Sequence, residues 1–184
     1  VINEIPSSRI IKPDLEILCK KYWNKLNKEA DKQKKMLWDS EIYRFESCII
    51  KNSRLFLKVS TIPFSIRLGM NNYTNIVKKL GRKYASLGIY VSCFVVTSDK
   101  KYLFIEKSKK YYSNRKFSFI GGVLSRTEKF LKSGKDLFNE VIKELKEEIG
   151  VSDVDIENMS LAAGYITENY NFCLIFNVII GKTI

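Results

Sequence analysis

Residues 133–151 read Ser-Gly-Lys-Asp-Leu-Phe-Asn-Glu-Val-Ile-Lys-Glu-Leu-Lys-Glu-Glu-Ile-Gly-Val, and their spacing predicts an amphipathic helix. At about 100° per residue, one stripe is apolar and consists of Leu137, Phe138, Val141, Ile142, Leu145 and Ile149. The adjoining side, within an arc of roughly 100°, carries Glu140, Glu144, Glu147 and Glu148. Gly150 stands where a left-handed helix cap is expected. The helix therefore places carboxylates along the edge of a core.

This group of carboxylates favours a metal site. Glutamates four positions apart repel each other by about 0.2–0.5 kcal/mol per exposed pair, so a divalent cation would turn a local cost into binding. The sequence contains no histidine, which leaves oxygen ligands and therefore favours Mg²⁺ or Mn²⁺. The alternative is a solvated surface helix, with ion pairs such as Lys143 with Glu140 or Glu147.

The features that precede and form the helix follow a recognisable order. A hydrophobic strand, the pair Gly121-Gly122 and a loop precede Lys-Glu-Leu-x-Glu-Glu-x-Gly-Val, and this order resembles the Nudix hydrolase box. The distal half of the box, Arg-Glu-apolar-x-Glu-Glu-x-Gly-apolar, is matched by Glu144, Leu145, Glu147, Glu148, Gly150 and Val151. The resemblance implies an α/β/α sandwich on a mixed sheet. It also implies Mg²⁺-dependent hydrolysis of the pyrophosphate bond in a nucleoside diphosphate derivative.

The resemblance also implies roles for individual residues. Glu147 and Glu148 would be the principal metal ligands, and Glu144 a ligand or a group that supports the base. Lys143 would be the cation that orients a glutamate. The substrate-binding candidates are Gly121, Gly122 and Arg115, because glycines admit close approach of a helix or a phosphate and an arginine can contact phosphate. Arg115 is equally consistent with a solvated charge, and Glu168 is an outside candidate for the base.

The sequence departs from the family pattern in two ways. Lys143 stands where the family has arginine, which keeps the charge but loses the planar fork. The loop before the helix carries about seven extra residues, near residues 125–131, so the family's upstream glutamate falls on Lys135. Glu128 or Glu140 is positioned to replace that glutamate.

The 184 residues predict two parts that pack together. Residues 86–184 form the Nudix domain, and residues 1–85 form a smaller α+β extension in front of it. The family's second large helix would follow Ile184, so we expect one helical layer to be thin or missing and the domain to be incomplete at its C-terminus.

Periodicity and turn residues predict further elements. Helices are expected from Pro13 to about Lys35 and from Thr74 to Leu80. Strands are expected at Ile42–Ile50, Arg54–Ser60, Leu87–Val96, Tyr102–Lys107, Phe117–Ile120 and Phe172–Ile180, with one or two more between Asp153 and Tyr165.

The net charge of +12 is uneven. Residues 1–85 hold 18 Lys and Arg against 8 Asp and Glu, whereas residues 86–184 hold 14 against 12. A basic surface attracts nucleic acid or phosphorylated ligands. The chain has 25 Lys and only 7 Arg, which is equally typical of a genome-wide compositional bias, so nucleic acid is the less favoured partner.

Several observations favour a cytoplasmic protein without a membrane partner. No apolar run approaches the length of a transmembrane helix, and no signal peptide is evident. The four cysteines are far apart, without a Cys-x-x-Cys pair, so reduced core residues are favoured over a zinc or disulfide framework.

The extension supports a closer comparison. Its motifs, together with the entry to the Nudix part, resemble the layout of Nudix UDP-glucose pyrophosphatases; they are Tyr22-Trp23, Leu37-Trp38-Asp39, Tyr43-Arg44-Phe45, Arg67-Leu68-Gly69 with Tyr73, and Ser86-Leu87-Gly88. The resemblance implies hydrolysis of UDP-glucose to UMP and glucose 1-phosphate. The alternatives are an enzyme that hydrolyses RNA 5′ caps, with the extension as its RNA surface, and a noncatalytic nucleotide-binding module.

Overall fold

The computed structural model describes residues 1–34, 37–106, 117–126 and 131–183. These residues form a mixed α/β structure with four α-helices and nine β-strands, which confirms the predicted class at that level. The helices are α1 (Pro13–Lys32), α2 (Phe64–Asn72), α3 (Thr74–Leu80) and α4 (Gly134–Ile149). The strands are β1 (Ile2–Glu4), β2 (Glu41–Lys51), β3 (Arg54–Pro63), β4 (Ile89–Val96), β5 (Tyr102–Leu103), β6 (Ile105–Glu106), β7 (Phe117–Ser118), β8 (Ile156–Ile166) and β9 (Phe172–Ile180).

The chain divides into two compact units, and each draws on separate stretches of sequence. Unit 1 comprises Val1–Ile89, Leu124–Ser133 and Ile166–Phe172. Unit 2 comprises Tyr90–Val123, Gly134–Tyr165 and Cys173–Ile184. Helix α4 and the glycine pair both belong to unit 2.

Unit 1 is built on a mixed three-stranded sheet in the order β1-β3-β2. Strand β1 runs parallel to β3, and β2 runs antiparallel to β3. Helices α1 and α2 pack closely, because Gly69 has no side chain: a Cβ built there would lie 2.5 Å from Cys19 Cβ. Such close packing of two helices requires glycine at this position.

Unit 2 contains a four-stranded sheet in the order β5-β4-β9-β8. Alternate residues of β4 are buried, as expected for a strand with one face on the core; the buried ones are Ile89, Val91, Cys93 and Val95. Helix α4 buries Leu137, Val141 and Leu145. The Phe138 ring meets Phe176 of β9 edge to face, with centroids 5.4 Å apart. The predicted apolar stripe therefore fixes which side of α4 faces solvent.

Three predicted helices are confirmed. Helix α1 begins at Pro13 and ends at Lys32, and Lys35, where its end was predicted, lies outside the described residues. Helix α3 has the predicted bounds. Helix α4 ends at a left-handed residue, since Gly150 has φ +68° and donates its N–H to the Lys146 carbonyl at 3.1 Å. Helix α2 was not predicted.

Most predicted strands are confirmed. The notable difference is the segment from Tyr102, which forms two short strands: Leu103 of β5 pairs with Val95 of β4, whereas Ile105 of β6 pairs with Ser118 of β7. The chain therefore changes partner at Phe104. Strand β1 was not predicted. Residues 107–116, which include the predicted strand end Lys107 and the candidate Arg115, lie outside the described residues.

None of the described helices combines the length and the apolar character needed to cross a bilayer. Cys19, Cys93 and Cys173 are free and buried, as the sequence predicted for core residues. Cys48 is exposed on β2, so the prediction is wrong for that residue.

Candidate active site

The glycine pair lies on a backbone segment that follows β4. The Val91 N–H donates to the Gly122 carbonyl at 2.9 Å, and the Cys93 N–H donates to the Ile120 carbonyl at 2.8 Å. Between these two bonds Gly121 adopts φ +144°, which side chains disfavour. The two contacts fix the position of the Gly121 amide.

The Gly121 amide binds one of the predicted metal ligands. Its N–H donates to Glu148 Oε2 at 2.8 Å. A carboxylate that accepts a backbone N–H is oriented as well as stabilised. The contact joins the glycine pair to helix α4, two features that the sequence places 27 residues apart.

Gly122 makes room for a second carboxylate. A Cβ built on Gly122 would lie 2.3 Å from Glu144 Oε1 and 2.5 Å from Glu144 Oε2. The Glu144 carboxylate therefore lies directly against the Gly122 backbone, a position open only because the residue is glycine. Glu144 and Glu148, one turn apart on α4, thus both meet the glycine pair.

The electrostatics of the site are those of crowded carboxylates. Burial of Glu144 and the charges of Glu148 and Glu147 raise its pKa from 4.5 to about 7, although Lys143 acts in the opposite direction. The pKa of the Cys93 thiol is raised to about 12, by burial first and then by Glu144 and Glu148. Cys93 on β4 therefore lies close enough to Glu144 and Glu148 to feel their negative charges.

The donor set suits a hard divalent cation of the type that the sequence predicted. Among the described residues, no three His, Cys, Asp or Glu side chains are gathered as ligands of one ion. Mg²⁺ commonly takes only one or two carboxylates and completes its shell with water and phosphate oxygens. Glu144 and Glu148 would supply such a pair, and Glu147 is exposed on the same helix.

The remaining predicted residues are placed less closely. Lys143 is exposed, and its Nζ lies 3.9 Å from Glu140 Oε2. Glu168 is exposed in the turn between β8 and β9 and belongs to unit 1. Arg115 and Glu128 lie outside the described residues. The structure therefore brings Glu144, Glu148, Gly121 and Gly122 together.

Sequence reasoning did not identify Cys93 or Val91 as parts of this site. The alternation of β4 put both on its buried face, but only the contacts of the glycine pair and the carboxylates show what they border. The Val91 carbonyl is the group that a side chain at residue 121 would strike, since a Cβ there would lie 2.2 Å from it.

Gly121→Ala should destabilise the protein by about 3 kcal/mol or more, because the new Cβ meets backbone and the φ angle is unfavourable. Urea unfolding of the variant measures the loss. Gly134→Ala is the matched control, since nothing lies within 4 Å of a Cβ there. Equal stabilities of the two variants would refute the tight packing at residue 121.

The raised pKa of Glu144 predicts a pH dependence of stability in protein kept free of divalent ions. Between pH 4.5 and about 7 the native state holds a proton that the unfolded state has lost, so the free energy of unfolding should fall as pH rises through this window. From pH 5 to pH 8, the free energy of unfolding should fall by about 1–3 kcal/mol more in wild type than in Glu144→Gln. Identical pH profiles in urea unfolding would contradict the burial of this carboxyl.

No family model matches the chain, and no curated protein sequence matches it. The Nudix resemblance therefore remains a prediction from the motif residues.

Proposed function

We propose that the carboxylates of α4 and the glycine pair form the active site of a Nudix-type pyrophosphohydrolase. One observation carries the proposal: Glu148 and Glu144, from the matched half of the motif, both lie against Gly121-Gly122. A solvated surface helix would not require contacts with a glycine pair on another segment. The proposed fold of this part is the family's α/β/α sandwich, of which the described residues of unit 2 supply a sheet and the helix α4.

The proposed reaction is attack of water on one phosphorus of a pyrophosphate. The P–O–P bond breaks, the leaving phosphate takes the bridging oxygen, and the proton of the water passes to a base. Mg²⁺ or Mn²⁺ held by the glutamates would neutralise phosphate charge and lower the pKa of a bound water.

Each carboxylate of α4 and its neighbouring lysine has a separate proposed role. Glu148, oriented by the Gly121 amide, is the ligand whose position is best fixed. Glu144 is a ligand or a group that supports the base, because its carboxylate lies one turn from Glu148 and against Gly122. Glu147 is the third ligand. Lys143 is a positioning residue, and Glu140 is the carboxylate that it approaches.

The proposed substrate class is a nucleoside diphosphate joined to another moiety, with UDP-glucose as the favoured member and UMP and glucose 1-phosphate as its products. The test is a product-resolved screen with Mg²⁺ of UDP-glucose, other nucleotide sugars, ADP-ribose, dinucleoside polyphosphates and capped RNA. Turnover of a nucleotide sugar supports the proposal. Binding without turnover of any compound would assign the fold to a noncatalytic module.

A second candidate, hydrolysis of an RNA 5′ cap, is favoured by one surface of unit 1. Four lysines at helical spacing line a groove along α1; they are Lys21, Lys25, Lys28 and Lys32. Such a row suits a phosphate backbone. Within the described residues, one of these four lysines pairs with an acidic side chain: Lys25 Nζ lies 3.8 Å from Glu29 Oε1.

Replacing Lys21, Lys28 and Lys32 by glutamine decides whether this row binds RNA. If it does, binding weakens and its salt dependence flattens by up to about 0.7–0.9 per lost phosphate contact. If the substrate is a nucleotide sugar and the row is only a solvated surface, hydrolysis of UDP-glucose stays nearly unchanged. A filter-binding salt titration and a hydrolysis assay on the same variant give both readings.

A further inference from the structure

Unit 1 contains an open cleft of about 630 Å³ beside β2, lined by three cationic side chains and one carboxylate. The cations are Arg44, Arg82 and Lys83, and the carboxylate is Glu46. The lining therefore carries an excess of two positive charges. Small-molecule sites typically enclose about 300–1,000 Å³, so the cleft has the size of a ligand site.

The carboxylate in the cleft is already satisfied. Glu46 accepts hydrogen bonds from the Arg44 guanidinium, from Ser60 Oγ at 2.5 Å and from the Ser8 hydroxyl. Burial alone would raise the pKa of Glu46, but these hydrogen bonds bring it below its ordinary value. Glu46 is thus ionised at neutral pH and committed to Arg44, which leaves the excess charge on the other two cations.

Arg44 is buried and one of its hydrogen-bond donors is unsatisfied. Its side chain is 1% exposed, and its Nε has no hydrogen-bond partner among the described residues. A buried donor without a partner is destabilising, because it has lost its hydrogen bonds to water without replacing them. The pKa of Arg44 is lowered, by burial first and also by the guanidinium groups of Arg9 and Arg82. Positive charges are therefore crowded at this cleft, and a bound anion would reduce their mutual repulsion.

The Arg82 guanidinium packs on an aromatic ring, which leaves its donors available to such an anion. Its guanidinium carbon lies 5.6 Å from the centroid of the Phe45 ring, and that ring stacks on Phe172 with centroids 3.9 Å apart. A guanidinium on an aromatic face keeps its N–H donors free at the edges. No carboxylate pairs with Arg82 or Lys83 in the described part of the chain.

We propose that this cleft binds a phosphate dianion, free or as the ester group of a small molecule, with Arg82 and Lys83 as its principal contacts. A phosphate monoester carries about −1.5 to −2 charges at pH 7, which matches the excess of the lining. The arginine fork suits bidentate contact with phosphate oxygens. The site is formed by residues other than those of the carboxylate site, and the proposal does not depend on the proposed function.

The test is calorimetric titration of the full chain with inorganic phosphate, in chelator so that no divalent ion contributes. Wild type should show saturable binding. Arg82→Gln combined with Lys83→Gln should weaken it by at least about tenfold, the value of one charged hydrogen bond. Both side chains are exposed, so the variant is expected to fold.

The matched control combines Arg54→Gln with Lys58→Gln, which removes the same charges from exposed positions on β3 of the same unit. It should bind phosphate within about twofold of wild type. Equal losses in the two double variants would reduce the effect to net charge and overturn the proposal, as would the absence of saturable binding to wild type.

Two further titrations distinguish the sources of the phosphate. Tighter binding of UMP or glucose 1-phosphate than of inorganic phosphate would support an ester ligand, and equal affinities would support free phosphate. Glu148→Gln should bind phosphate as wild type does. Without a divalent ion the Glu148 charge repels phosphate, so tighter binding in that variant would place the anion at the carboxylate site and overturn the proposal, whatever the outcome for hydrolysis.

Discussion

Glu148→Gln should lower the rate of pyrophosphate hydrolysis by more than about 100-fold, beyond the 10- to 100-fold loss usual for residues that only support a ligand. Glutamine keeps the shape of the side chain and still accepts the Gly121 N–H, but it lacks the charge that a divalent cation requires. Glu147→Gln should also lose far more activity than Lys143→Ala, because Lys143 acts through a glutamate. Steady-state rates of the three variants measure this order.

Glu157→Gln is the control for those variants. It removes the same charge from an exposed position on β8 of unit 2 and should retain nearly wild-type activity. Near-native rates in both Glu147→Gln and Glu148→Gln would point instead to a solvated helix whose carboxylates take no part in catalysis.

Removal of divalent ions should abolish hydrolysis, and Mg²⁺ or Mn²⁺ should restore it. The physical reason is that the chain offers no histidine and places carboxylates side by side on α4. There burial first, and then the charges of Glu148 and Glu147, raise the pKa of Glu144 to about 7. Without a cation, these negative charges would repel an anionic pyrophosphate. The measurement is turnover of the best substrate before and after dialysis against chelator and after return of the metal.

Ca²⁺ serves as a comparison in that experiment, because it prefers more ligands and longer bonds than Mg²⁺. It should bind the carboxylates but restore activity less well. Full turnover in excess chelator would rule out the proposed role of the carboxylates.

The sequence was sufficient to predict α4 because its two signals agree. The apolar period gave the buried face with Leu137, Val141 and Leu145, and Gly150 gave the end of the helix. Both are local properties of the chain. The same local reasoning placed α3 and most strands within a few residues.

Helix α2 shows why other elements were missed. Its nine residues contain Ser65 and Gly69, which weaken helix propensity, and it follows β3 directly after Pro63. Gly69 is stabilised in place by its close approach to Cys19, a contact between residues 50 positions apart. Tertiary packing of this kind has no local signature in sequence.

The candidate site was predicted in its residues but not in its contacts. The motif named Glu144, Glu148 and the glycine pair, but it did not show that the Gly121 amide binds Glu148 or that Gly122 accommodates Glu144. These contacts depend on the pairing of residues 120–123 with β4. Similarly, the strand pattern of β2 predicted neither the burial of Arg44 nor its bond to Glu46.

The most direct test of the proposed metal site is an electron paramagnetic resonance titration with Mn²⁺, comparing wild type, Glu148→Gln and Glu157→Gln. We predict saturable Mn²⁺ binding by wild type and by Glu157→Gln, and binding weakened by at least about tenfold in Glu148→Gln. Equal Mn²⁺ affinities in the two variants would show that Glu148 holds no metal ion and would contradict the account of this site.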